Sequence, residues 1–262
     1  MAGLLLIKSV LRRIENQFMI RNEHFVPMRG DDIQVYLKRN HRTAVHHLLR
    51  YIWASKVLSD FGEQGCVLDM ASGSGYGTNL MAREHPGIQF TGVDYDPAAV
   101  KAARKSYHLP NLQYRPGDGL RWEETLGAQK YDTIVSFDTL EHVPHREILL
   151  ENLVNHLQPD GRLLLSTPCG HDVNRLQPRW AGHQIEFSSG SLYDFLSRYF
   201  RTVVRPDGAE LPHLEVFDLL KGSEVVYNLK MNPVLCRQPI TIQNPYHPPG
   251  DPAGNAPSPA PG

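Results

Sequence analysis

Residues 67–78 read VLDMASGSGYGT, and this stretch decides the fold. An apolar strand carries Asp69 near its end and runs into Gly73-Ser74-Gly75-Tyr76-Gly77, after which a helical pattern begins. Glycines let the backbone turn sharply and approach a ligand closely. The helix start that follows offers unpaired N–H groups to a negative group. By itself a glycine-rich loop also serves as an ordinary tight turn.

Outward from this loop the pattern alternates. CVLDM, QFTGVD, LQYRP, YDTIVSF, GRLLLSTP and RTVVRP read as strands. GTNLMARE, PAAVKAARKSY, REILLENLVNHL and SLYDFLSRYF read as helices, and a long helical region runs from about 32 to 59. Strands separated by helices imply βαβ units and a parallel sheet covered on both faces. The expected fold is therefore a doubly wound α/β sheet, whose ligands bind beyond the carboxyl ends of the strands at the switch point. Residues 1–59 read as an N-terminal helical or lid segment and 60–238 as the main domain. Residues 239–262 are dominated by Pro and Gly and read as a disordered tail.

Composition sets outer limits. The chain has 262 residues, 41% apolar and 21% charged, with a formal charge of −1. No field of one sign is available for a nucleic acid or a wide anionic surface, so no nucleic-acid partner is expected. Three scattered cysteines, Cys66, Cys169 and Cys236, argue against a disulfide framework or zinc knuckle and for a cytoplasmic compartment. No apolar run reaches the ~18 residues of a membrane span. In the opening segment the basic residues follow the short apolar run, the wrong order for a signal peptide. Ile7, Val10, Leu11, Ile14 and Phe18 have helical spacing. They suit a helix packed on its own domain or on a second subunit, or an amphipathic helix on a membrane surface through residues 1–20; the first reading is preferred.

Two further strand ends strengthen the glycine loop. GVDYD carries Asp94 about 20 residues past the glycines, where an acid can bind both ribose hydroxyls. RPGDGLRW carries Asp118 between glycines, where a base could come close and donate to the carboxylate. With these three features in order, the chain resembles the class I S-adenosylmethionine-dependent methyltransferases over roughly residues 60–205. The resemblance implies the Rossmann-like seven-stranded, mostly parallel sheet of that family, with N-terminal helices. It also implies that Asp69, Gly73, Ser74, Gly75, Asp94, Tyr95, Asp118, Gly119 and Phe137 bind S-adenosylmethionine. A carboxylate at Asp69 suits a ligand with a cationic end, whereas it would repel a pyrophosphate.

NEHFVP, HHLLRYIWASKVL, SFDTLEHV, STP and HQIEF further resemble methyltransferases of glycan and surface-polysaccharide biosynthesis. His24, Asp138 and Cys169 depart from that subgroup's arginine, glutamate and asparagine. The resemblance implies O-methyl transfer to a hydroxyl of a sugar or glycan precursor. A small-molecule or quinone O-methyltransferase, or a non-catalytic adenosylmethionine-binding module, are the alternatives.

A hydroxyl benefits from a base or a metal that removes its proton. SFDTLEHVPH places Asp138, Glu141, His142 and His145 after a core strand, and WAGHQIEF adds His183. His142 and His183 are candidate catalytic bases. Asp138, Glu141, His142 and His183 are the alternative, a ligand set for Mg²⁺ or Mn²⁺. Their spacing resembles metal sites of small-RNA 2′-O-methyltransferases and some quinone-pathway O-methyltransferases. Capping of the next helix by the acids is the plainer reading. His145 is expected one residue inside that helix, at the surface. Arg50 and Tyr51 are candidates for holding a carboxylate, and Trp122 is expected in the core.

Overall fold

A computed structural model describes Val10, Leu11, Ile14 and residues 19–21, 24–169, 173–178, 182–204, 233–243 and 245–248. The chain opens with a short hairpin, β1 (Ile20–Arg21) and β2 (His24–Phe25), then helices α1 (Ile33–Lys38) and α2 (Arg42–Ser59). The alternating region follows: β3 (Gly65–Met70), α3 (Tyr76–Glu84), β4 (Ile88–Asp94), α4 (Pro97–Ser106) and β5 (Leu112–Pro116). A short α5 (Trp122–Thr125), β6 (Tyr131–Phe137), α6 (Arg146–Asn155) and β7 (Leu157–Ser166) continue it. Helix α7 (Ser189–Leu196) and strands β8 (Phe200–Val204) and β9 (Val234–Pro239) complete the fold.

The main sheet has seven strands in the order β5-β4-β3-β6-β7-β9-β8. Strands β3 to β7 pair in parallel, and β9 runs antiparallel to both neighbours. The seven-stranded, mostly parallel doubly wound sheet is thus as expected. The chain moves outward from β3 to β5 and then returns to β6, so β3 and β6 flank the switch point.

Alternation along each central strand feeds two cores. Val67, Val135, Phe137 and Leu164 face α1, α2 and α3. Leu68, Met70, Ile134, Leu163 and Leu165 face α6 and α7. The period of two sends successive side chains to opposite faces. Each fully buried aliphatic side chain contributes about 1.5–3 kcal/mol. Residues 33–59 share the first core with the sheet.

Several expectations need correction. The long helical region is two helices, because Asn40 takes a left-handed φ of 49° after α1. Val10, Leu11 and Ile14 are 50%, 55% and 43% exposed; the other residues of 1–18, Ile7 and Phe18 among them, lie outside the described residues. Residues just past 239 also do more than form a tail. The Ile240 N–H donates to the Tyr199 carbonyl (2.8 Å), and the Tyr246 N–H donates to both Glu151 oxygens (3.0 Å each). A backbone N–H meeting a buried carboxylate gives this Pro-rich stretch an anchor that its composition does not announce. Residues 249–262 lie outside the described residues. His145 is the N-cap of α6 and does not lie inside it, and Trp122 is 1% exposed in the core.

No helix among the described residues is long and apolar enough to cross a membrane.

Candidate active site

The glycine loop is held by bonds to the next strand. The Gly73 N–H donates to Asp94 Oδ2 (2.7 Å), and the Ser72 N–H donates to the Val93 carbonyl (2.8 Å). Gly75 caps α3 at φ 81°, where a Cβ would lie 2.7 Å from both Ala103 and the Tyr114 ring. Only glycine meets both demands there. Two non-glycine residues, Ala71 (φ 63°) and Asp138 (φ 53°), sit in the left-handed region just past β3 and β6. Such conformations cost about 1–2 kcal/mol each, and here they flank the switch point.

The strand ends enclose two adjoining cavities of about 170 and 290 Å³. The first is lined by Gly73, Ser74, Asp94, Phe137 and Asp138. The second is lined by Gly117, Asp118, Gly119 and Leu120. Ala71, Tyr95, Thr139, His142 and Val143 line both, so the two form one cleft. Asp94 also accepts the Asp96 N–H (3.0 Å), and Asp118 accepts the Leu120 N–H (2.9 Å). Both acids are therefore fixed while facing the cleft. Tyr95 is 70% exposed at the seam of the two cavities, too open for a packing aromatic.

Gly75 and Asp69 do not line this cleft. Gly75 shapes the loop from behind. Asp69 is fully buried and accepts hydrogen bonds from Thr78 Oγ1 (2.5 Å) and Tyr51 Oη (3.4 Å). Burial pushes its carboxyl up to about 7, against the effect of those two hydrogen bonds. Asp69 thus ties β3 to α2 and α3 and, unlike the other acids expected to bind, is not part of the cleft lining.

The acids of SFDTLEHVPH separate. Arg50 pairs with Asp138 through both carboxylate oxygens. Ser166 Oγ donates to Asp138 at 3.3 Å. His47 lies 3.8 Å from Asp138. Burial, then the Arg50 charge, holds His47 well below 6.5, so the ring is neutral and accepts from Arg50 at 2.7 Å. Arg50 therefore supplies the charge that neutralises Asp138. Asp138 is committed to this pair and is not a member of the metal-ligand set.

Glu141, His142 and His183 do come together, each offering a ligand atom within 4.8 Å of the others. The His142 and His183 rings meet edge-on with centroids 4.9 Å apart. Nδ1 of His142 lies 3.1 Å from the Gly182 carbonyl, which can only accept. Nδ1 of His183 lies 2.9 Å from Glu186 Oε1. Both rings therefore donate through Nδ1, which makes Nε2 the lone-pair nitrogen of the neutral ring. Glu141 is 1% exposed and accepts from Thr167 Oγ1 (2.7 Å). Burial, reinforced by the Asp138 charge, raises its carboxyl to about 8. Its Oε1 lies 3.8 Å from His142 Nε2. His142 lines the cleft, whereas His183 stands behind it.

Sequence reasoning missed several lining residues: His24, Phe25, His47 and Tyr76. His47 shares the i, i+3, i+4 face of α2 with Arg50 and Tyr51, a spacing that could have found it. Glu186 stands three residues after His183, so H-x-x-E was readable too. Trp180 and Ala181, the start of WAGHQIEF, lie outside the described residues.

Strand order and cleft together define an open, doubly wound α/β fold with its cleft at the switch point. The chain belongs to a methyltransferase-domain family, whose model matches residues 19–201. It is 29% identical over 158 residues to the trans-aconitate 2-methyltransferase of Delftia acidovorans, covering 60% of this chain and 55% of that one. It is 32% identical over 109 residues to the malonyl-[acyl-carrier protein] O-methyltransferase of Bacillus cereus, covering 41% of this chain and 38% of that one. The chain thus spans about half the length, or less, of these curated relatives. Among solved structures, coclaurine N-methyltransferase bound to N-methylheliamine and SAH superposes with a TM-score of 0.54 at 16% identity. That match covers 88% of this chain and 94% of the other, and it shows a shared fold.

Proposed function

We propose that this protein is an S-adenosylmethionine-dependent O-methyltransferase whose acceptor is a neutral hydroxyl, as in a sugar or glycan precursor. The observation that carries the reading is His142. It lines the cleft, its tautomer is set by the Gly182 carbonyl, and its Nε2 carries the lone pair that can take a proton. A hydroxyl needs such a base, and a carboxylate does not.

The residues present fit the donor. Asp94 would hold the ribose. Asp118 would accept from the adenine amino group, with Gly117 and Gly119 leaving room for the ring. Gly73 and Ser74 would face the amino-acid end, and Phe137 would form the wall beside it. Bound S-adenosylmethionine supplies an electrophilic methyl group on a sulfonium. His142 Nε2 would take the acceptor's hydroxyl proton. Glu141, once ionised, stabilises the resulting imidazolium. His183, oriented by Glu186, holds the His142 ring in place.

Two specific observations favour other readings. The named acceptors of the relatives, trans-aconitate and malonyl-acyl carrier protein, are carboxylic acids. A carboxylate acceptor would need a cation; Arg50 lines the cleft, and it would have to give up Asp138 to serve. Separately, Glu141, His142 and His183 fit a divalent ion: each histidine Nδ1 is engaged outward, so Nε2 carries the lone pair that a metal takes. Such an ion would lower the pKa of a bound hydroxyl.

A methyl-transfer screen tests the reading, pairing nucleotide sugars and glycolipid precursors against trans-aconitate and malonyl thioesters. Turnover of carboxylates alone would overturn the hydroxyl assignment. Activity removed by EDTA and restored by magnesium or manganese would replace the histidine base with the metal.

A further inference from the structure

The hairpin β1–β2 lies against the donor end of the cleft, and His24 is its point of contact. The hairpin is tied to the glycine loop, since Ser74 Oγ donates to the Phe25 carbonyl (2.6 Å). Phe25 stacks on His47 (centroids 4.5 Å apart, 8° between planes) and meets Tyr76 edge-on at 5.1 Å. These contacts fix where His24 stands. Its Nδ1 is 3.2 Å from where a Cβ on Gly73 would be, so the imidazole lies directly on the loop. Its Nε2 is 3.9 Å from Asp94 Oδ1 and 3.5 Å from Asp96 Oδ2. Nε2 is buried and has no hydrogen-bond partner among the described residues. A buried polar atom without a partner costs about 1–3 kcal/mol, and the His24 side chain that carries this one is part of the cleft lining, as is Asp94.

We infer that His24 is a second ribose-binding residue, bridged to Asp94 by one hydroxyl of the bound donor. The geometry is specific. A hydroxyl oxygen about 2.8 Å from each atom spans a 3.9 Å gap with an angle of about 90° at the oxygen. It donates to Asp94 Oδ1 and accepts from the His24 Nε2–H. Each Asp94 oxygen accepts one backbone N–H and keeps a second lone pair, so Oδ1 is held in place and still open to the hydroxyl. The hairpin thereby becomes a wall of the donor site, and the Ser74 tether sets its distance from the ribose.

This inference rests on the donor reading above. Titration calorimetry with S-adenosylhomocysteine, and with its 2′-deoxy and 3′-deoxy ribosyl analogues, tests it on wild type, His24→Ala and His24→Gln. Wild type is expected to bind the parent ligand on the order of five- to tenfold more tightly than His24→Ala. His24→Gln, which keeps a donor, is expected to recover part of that loss. One deoxy analogue should weaken wild type more than His24→Ala, whereas a loss of packing alone would weaken both equally. Equal losses for both analogues, or an affinity of His24→Ala within twofold of wild type, would overturn the role of His24 alone. No binding of the parent ligand to wild type would overturn the donor reading and this inference with it.

Discussion

Replacing His142 with asparagine removes the basic nitrogen while keeping a donor toward the Gly182 carbonyl. A positioned general base contributes roughly 10²- to 10⁴-fold, or about 2.7–5.4 kcal/mol of barrier. Glu141 could add to this. An ionised carboxylate 3.8 Å from the imidazolium is worth about 4 kcal/mol at an effective dielectric constant near 20. With its carboxyl raised to about 8, however, Glu141 is only about one-tenth ionised at pH 7. Most of the loss at pH 7 is thus the base itself, so turnover is expected to fall by roughly two to four orders of magnitude. The assay is transfer of a labelled methyl group to the best acceptor from the screen, with calorimetry of S-adenosylhomocysteine run in parallel. Donor affinity should change little, because Asp94 and Asp118 are untouched. Turnover within threefold of wild type would refute the assignment of His142 as base.

Other outcomes follow from the same geometry. Glu141→Gln should cost little at pH 7 and progressively more toward pH 9, because the carboxylate it removes ionises near 8; rate–pH profiles of the two proteins should diverge upward through that value. Asp69 is raised from 3.8 to about 7, so between those values the folded protein holds a proton that the unfolded chain has released. Stability should therefore fall as pH rises through this window, by roughly 4 kcal/mol for this group. Thermal melts should show a flatter slope for Asp69→Asn. Gly77→Ala would place a Cβ 2.2 Å from the Tyr51 ring where α3 crosses α2. Overpacking of about 1–3 kcal/mol should lower Tm by several degrees, measured by calorimetry. His183→Ala should leave donor affinity intact and abolish most transfer; normal turnover would remove His183 from the site.

Much of the fold was legible because its signals are local. Apolar strands, helical spacing and the glycine loop each lie within a dozen residues, and their alternation specifies a parallel sheet. The cofactor acids Asp94 and Asp118 were readable for the same reason: each sits where its strand ends. Strand β9 was not readable. VLCRQP is short and ends on proline, and its place between β7 and β8 is set by antiparallel pairing with strands far away in sequence.

The chemistry of SFDTLEHVPH shows the same division more sharply. Sequence placed Asp138, Glu141, His142 and His183 near one strand end. It could not say that Arg50, 88 residues before Asp138, takes that carboxylate for itself. Nor could it show that Asp69 is shielded by Thr78 and Tyr51, or that His24 reaches back over Gly73. Spacing along the chain determined which ionisable groups meet at the switch point. Burial and partner geometry, which exist only once the helices and hairpin pack on the sheet, decided which are neutralised and which are left to act.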